Sequence, residues 1–322
     1  MLLALAAGQA LGALSDDIAR ATDLAYGQQY DSALAVTSAV IARDPSNPAG
    51  YYWHAGIIQL LINDSGQDWL ADSFYHLSDR ALALCRQRLA VAPNDPQANL
   101  YFGLTQLNRA SLLAWQQQLV SAFRVVVGVP RQLNAALARD SSLTDARFGL
   151  GMLEYLKATT DRYLPVVRLG SRRNAYALIK PIADGSGPRK AAAELMMAYM
   201  SREDRNYDQA FAYCRRVLAG YPGNRSALRL MRDAMVQAGR YAEAVQTCAT
   251  LDSLIDLAFP SNRYGKAENW LEWGKAYTLM GMKQEARDRF DRVIAWEQYQ
   301  NVVPWLRFYV RVAKQWRAKL GN

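Results

Sequence analysis

The sequence predicts an all-α protein, a right-handed superhelical solenoid of about seven helical hairpins closed by a C-terminal capping helix. Three observations predict it. Apolar residues recur with a helical period along most of the chain, and alternating apolar and polar runs are scarce. Small residues return at matching places in successive segments: Ala21 and Ala33, then Gly103, Gly151, Ala210, Ala244 and Gly274. The 11 prolines and 20 glycines among 322 residues are few, and they sit mainly at segment ends, where they stop helices.

Composition narrows the class further. Hydrophobic residues make up 51% and charged residues 21% of the chain, enough for a packed core and too apolar for disorder. The net charge is +9, yet no compact Lys/Arg block or aromatic-basic platform accompanies it, so nucleic acid is not an expected partner. A diffuse positive field favours encounter with acidic partners or membrane surfaces without specifying either.

The opening stretch, MLLALAAGQALGAL (residues 1–14), has two readings. It is too short and too interrupted by Gly8, Gln9 and Gly12 to span a bilayer. Its apolar run and small-residue end match an export signal lacking its basic start, with Ala10 or Ala13 at the cleavage point. This reading places the chain in a cell envelope or periplasm and its true start upstream of Met1. Alternatively, Leu2 to Leu14 forms a first helix on the end of a cytoplasmic solenoid.

From residue 15 to 320 the chain reads as one array. The clearest repeat is Trp270, Trp273, Gly274 and Tyr277, followed by Ala286, Phe290 and Val293. The frame returns as Tyr207, Ala210, Cys214, Val217 and Pro222, then as Gly239, Tyr241, Ala244, Cys248 and Leu251. Near the start it returns as Ala21, Tyr30, Ala33, Val40 and Pro45. Small residues let the two helices of a repeat approach, large ones fill the space between repeats, and proline stops the second helix. These spacings resemble the tetratricopeptide repeat, a helix-turn-helix of 34 residues. They give repeats at 14–47, 191–224, 225–258 and 267–300, with the cap at 303–320.

Between these the period lengthens. Pro48, Pro96 and Thr144 begin repeats 48 residues apart, giving 48–95, 96–143 and 144–190 with an insertion between the helices of each. The insertions are rich in aromatic and branched residues, so they are expected to pack rather than hang free. DARFGLGMLEYLKA before a YLP segment resembles bacterial tetratricopeptide repeat proteins often found behind export signals. That resemblance implies a fold and a binding role, not a reaction.

The residue types that carry chemistry are sparse. Cys85, Cys214 and Cys248 all fall at the same core position of a second helix. Equivalent sites in neighbouring repeats lie about 10 Å apart, too far for a disulfide, which needs Cα atoms within about 7 Å. They read as buried fillers. His54 falls on a first helix packed against its neighbour, and His76 lies in an insertion. No zinc spacing, nucleophile–base pair or dinucleotide loop is present; Gly149 and Gly151 have no strand before them. The chain therefore reads as non-catalytic, with no cofactor or metal and with another protein as its partner.

The resemblance places first helices on a concave face. Inward positions then give Tyr52, Gln59 and Leu60; Leu100, Leu104 and Leu107; Phe148, Met152 and Tyr155; and Leu195, Tyr199 and Arg202. Such an apolar, aromatic groove suits an amphipathic helix or extended peptide. The alternative is that the insertions fold back and fill it. The segment 157–190 carries eight basic residues against two acidic ones. There Arg168, Arg172 and Arg173 are candidates for contact with lipid or an acidic partner, against a plain solvated face. Last, Trp305, Phe308, Tyr309, Val312 and Trp316 form the apolar stripe of a cap starting at Pro304.

Overall fold

The structure, a computed structural model, describes residues 2–160, 170–303 and 305–321, with residues 2–11 and 160 as backbone alone. Arg168, Pro304 and most of the third insertion lie outside the described residues. No strand occurs among the described residues, and the chain divides into two compact units. One comprises Met1–Leu60 with Leu70–Met196, the other Leu61–Trp69 with Met197–Asn322.

The first unit begins with α1 (Leu2–Tyr26) and α2 (Tyr30–Arg43), then most of α3 (Pro48–Ser65). It continues through α4 (Ala71–Val91), α5 (Pro96–Trp115), α6 (Leu119–Val126), α7 (Val129–Arg139), α8 (Thr144–Thr160) and α9 (Arg172–Ala183), and takes the start of α10 (Lys190–Glu203). The second unit continues with α11 (Tyr207–Gly220), α12 (Arg225–Gln237), α13 (Tyr241–Ala258), α14 (Arg263–Leu279), α15 (Lys283–Ile294) and α16 (Leu306–Lys319).

Helix starts follow from local chemistry. The Asp95 carboxylate accepts from the backbone N–H of Gln97 and Ala98 at 2.9 and 3.1 Å, with Pro96 in the first turn of α5. Asn206, Asn224 and Asn262 cap α11, α12 and α14 in the same way. Such caps satisfy backbone donors that a helix leaves unpaired.

The seven small residues on which the repeat frame rests are all buried. A Cβ added at Gly274 would stand 2.5 Å from the Phe290 ring, and one at Gly151 would stand 2.6 Å from Ile179. The frame therefore works by seating a large second-helix residue on a bare first-helix backbone. All three cysteines are free and buried.

Several expectations are corrected. The extra residues of repeat 48–95, placed between its helices, mostly lengthen the helices themselves, α3 and α4, to 18 and 21 residues. In repeat 96–143 they lengthen α5 to 20 residues, burying Ala110 and Leu112, and then form α6, whose Leu119, Val120 and Phe123 are exposed and whose Ala122 is buried. The expectation that this insertion packs away its apolar residues holds in α5 and fails in α6, which packs by one side, through Ala122 and Val126. Helix α14 starts at Arg263, four residues before the repeat boundary at 267, because Asn262 caps it. The cap α16 buries Leu306, Val310 and Ala313, whereas Phe308 is exposed. Tyr309, Val312 and Trp316 of the expected stripe pack, partly buried, against the same core, and only Phe308 turns away.

Candidate partner-binding face

In the first unit, Tyr52, Leu100, Leu104, Leu107, Phe148 and Tyr155 are buried, while Met152 is half-buried. Leu100, Leu104 and Leu107 belong to one cluster with Val129 and Leu133 of α7 and Leu153 of α8. The bare backbones of Gly103 and Gly149 both meet Leu133. Gln59 is buried as well and donates to the Asn108 carbonyl at 3.2 Å. This row is occupied by the chain's own side chains.

One cation closes the row. Arg189 donates to Asp145 at 2.8 Å and to the Tyr52 hydroxyl, and its guanidinium lies 4.1 Å from the Trp53 ring centre. Phe148 and Tyr52 stand 5.7 Å away. Burial by itself lowers the Arg189 pKa, but Asp145 and Tyr52 outweigh it and keep the group charged. Burial pushes Tyr26 up to about 12, so the phenol stays neutral beside a cavity of about 100 Å³ walled by Tyr52, Trp53, Asn108 and Arg189.

The basic segment is likewise partly used. Arg189 is turned inward, Lys180 pairs with Asp184 at 2.5 Å, and Lys157 lies 3.6 Å from Glu154. Arg172 is half-buried, its guanidinium 5.8 Å from the Tyr155 ring centre, and Arg173 is exposed.

The second unit carries a different row on its first helices. Arg225 grips Asp64 through its Nε at 2.9 Å and also through Nη2, a two-pronged pair with almost no solvent contact. Arg229 stands 3.5 Å from the same carboxylate and 3.4 Å from Glu268. Arg232, fully buried, donates to Asp233 at 2.8 Å, to Glu268 at 3.2 Å and to Asn269 at 3.1 Å. Asp233 also accepts from Arg202 at 2.7 Å, and Arg202 reaches Glu203 at 2.7 Å. Charges therefore alternate in an unbroken ladder across α10, α12, α14 and the end of α3.

Leaving water is expensive for each of these ions, and alternation with good geometry offsets it. Burial raises the Glu272 pKa, with Lys275 opposing it from 2.6 Å. Tyr199 and Arg202 stay accessible at the ladder's α10 end, Tyr199 exposed and Arg202 half-buried over its ring at 5.2 Å. At the other end, a cleft of about 410 Å³ opens between Gly66–Trp69 and Asn262–Tyr264.

Of the residues expected from sequence, Tyr199 and Arg173 are exposed, whereas the Arg202 side chain is held by Asp233 and Glu203. Sequence reasoning missed Asp64, Arg225, Arg229, Arg232, Asp233 and Glu268. A signal existed: Arg225, Arg229 and Arg232 recur at helical spacing on one face of α12.

Comparison with known proteins defines the class. A family model for the tetratricopeptide repeat matches residues 201–255. One chain of the APC/C hetero-tetramer Cut9–Hcn1 shares the fold over 91% of this chain and 53% of its own, at 13% identity and a TM-score of 0.56. The present chain spans about half the length of that relative. PilW, a widely conserved type IV pilus biogenesis factor, matches over 81% of this chain and 98% of its own, at 17% identity and a TM-score of 0.52. No curated protein matches the chain.

The chain is thus a tetratricopeptide-type helical repeat protein by fold, with the repeat itself matched over 201–255. No helix among the described residues is long and apolar enough to cross a membrane.

Proposed function

We propose that the chain is a non-catalytic protein-interaction scaffold that receives a peptide or helix of its partner on the first-helix face of the second unit. The observation that carries this reading is the charged ladder ending at Tyr199 and Arg202. Its ions are fixed by one another before any ligand arrives, so little side-chain ordering remains to be done on binding. Tyrosine and arginine are also the residue types most often found as binding anchors. In the first unit the equivalent row is filled from within, so the partner engages the second unit.

We place this scaffold in a bacterial envelope assembly, a setting supported by the export-like start of the sequence and by the shared fold with a pilus biogenesis factor. The alternative, a membrane-surface adaptor built on 157–190, has less support because Arg189, Lys180 and Lys157 are engaged within the unit. Selecting binders from a random peptide library on the full chain tests the proposal. Selected peptides are expected to lose affinity on the order of tenfold or more with Tyr199→Ala or Arg202→Ala. Peptides indifferent to both substitutions would place the site elsewhere.

A further inference from the structure

Helix α6 presents an apolar face for which the described residues supply no cover. Leu119, Val120, Phe123 and Val127 are 68, 67, 65 and 64% exposed. At a helical period, positions i, i+1, i+4 and i+8 fall within an arc of about 100°. Beside the arc, on the Leu119 edge, Val126 packs against the unit's core and Ala122 is buried. The helix is therefore held by one side with its apolar arc turned to water.

The charge along this stretch of chain has one sign. No Asp or Glu occurs between Asp95 and Asp140, while Arg109, Arg124, Arg131 and Arg139 lie in that span. Arg109 is turned to Asp79. Arg124 borders the apolar arc, and Arg124, Arg131 and Arg139 are exposed. The residues leading into the helix, Gln116, Gln117 and Gln118, are polar and uncharged.

We propose that α6 docks the first unit onto an anionic lipid surface, with Leu119, Val120, Phe123 and Val127 entering the headgroup–acyl boundary and Arg124 and Arg131 meeting lipid phosphates. Four side chains standing clear of their neighbours form a projection rather than a groove. A specific protein interface needs about 800 Å² per partner, more than four side chains supply. A short interfacial helix needs only a few apolar insertions backed by electrostatic attraction. This site is separate from the ladder of the second unit and from the basic segment 157–190.

Flotation of the full chain with vesicles tests it, comparing phosphatidylglycerol-containing with pure phosphatidylcholine membranes. The chain is expected to float with the anionic vesicles and far less with the neutral ones. The pair Leu119→Gln with Phe123→Gln is expected to weaken this on the order of tenfold or more. The pair Arg124→Glu with Arg131→Glu is expected to abolish the preference for anionic lipid. These side chains are exposed, so an unchanged melting temperature verifies that the fold survives.

A nitroxide on Val120→Cys supplies a second reading, since the three native thiols are buried. Its spectrum is expected to report an apolar environment only when anionic vesicles are present. Three results would overturn the proposal: no flotation of the wild type, flotation unaffected by the glutamine pair, or a label that stays in water. A fourth is a dimer without vesicle binding that the glutamine pair dissociates, which would assign the face to a second copy of the chain.

Discussion

The two units build their first helices on one repeat frame and put opposite chemistry on them. In the first, Tyr52, Leu104, Phe148 and Tyr155 are core, and a single arginine is sealed among rings. In the second, four arginines and four carboxylates alternate along α10, α12, α14 and the end of α3. The small residues that let helices approach are buried in both. Repeat geometry therefore settles where backbones meet and leaves the character of the face open. The longer hairpins of the first unit are the cause of its closure, because α7 brings Val129 and Leu133 against α5.

Substitutions that cut each row sharpen this contrast. Arg232→Ala strips Asp233 and Glu268 of a buried cation and is expected to destabilise the protein by about 3–5 kcal/mol in urea unfolding. Leu104→Ala, in the closed row, is expected to cost about 2–5 kcal/mol; a surface groove residue would cost less than about 0.5 kcal/mol. Gly274→Ala drives a methyl into the Phe290 ring and is expected to cost about 1–3 kcal/mol, the penalty of overpacking.

The smallest effect is a pH slope. Burial lowers the His54 pKa from its ordinary 6.5, and its Nδ1 lies 2.9 Å from the Thr37 hydroxyl. The unfolded chain then takes the proton first as pH falls. Stability is expected to decline below about pH 6.5, and to stop declining once the folded imidazole also protonates. Thermal melts across that range should show a shallower slope for His54→Gln.

Much of the fold was legible in the chain because packing at small residues has a fixed spacing. Gly151 and Gly274 announce close approach, and Pro48, Pro96 and Thr144 announce helix starts. The face was less legible. Leu100, Leu104 and Leu107 follow the same period whether a partner or α7 covers them, and nothing in their spacing reveals how α7 returns. The ladder was hidden for another reason: Asp64 meets Arg225 across 161 residues of sequence. The arginine stripe of α12 was visible, but its partners were not. On α6, aromatic and branched residues suggested burial, and nothing in the sequence shows that the helix meets the core through Ala122 and Val126 instead.

Side-chain footprinting with hydroxyl radicals reads the contrast between the rows most directly. Tyr199 is 37% exposed, against 3% for Tyr52 and 2% for Tyr155. The account predicts rapid modification of Tyr199 with Tyr52 and Tyr155 protected until the protein unfolds. Equal modification of all three in the folded chain would show an open groove in the first unit and contradict it.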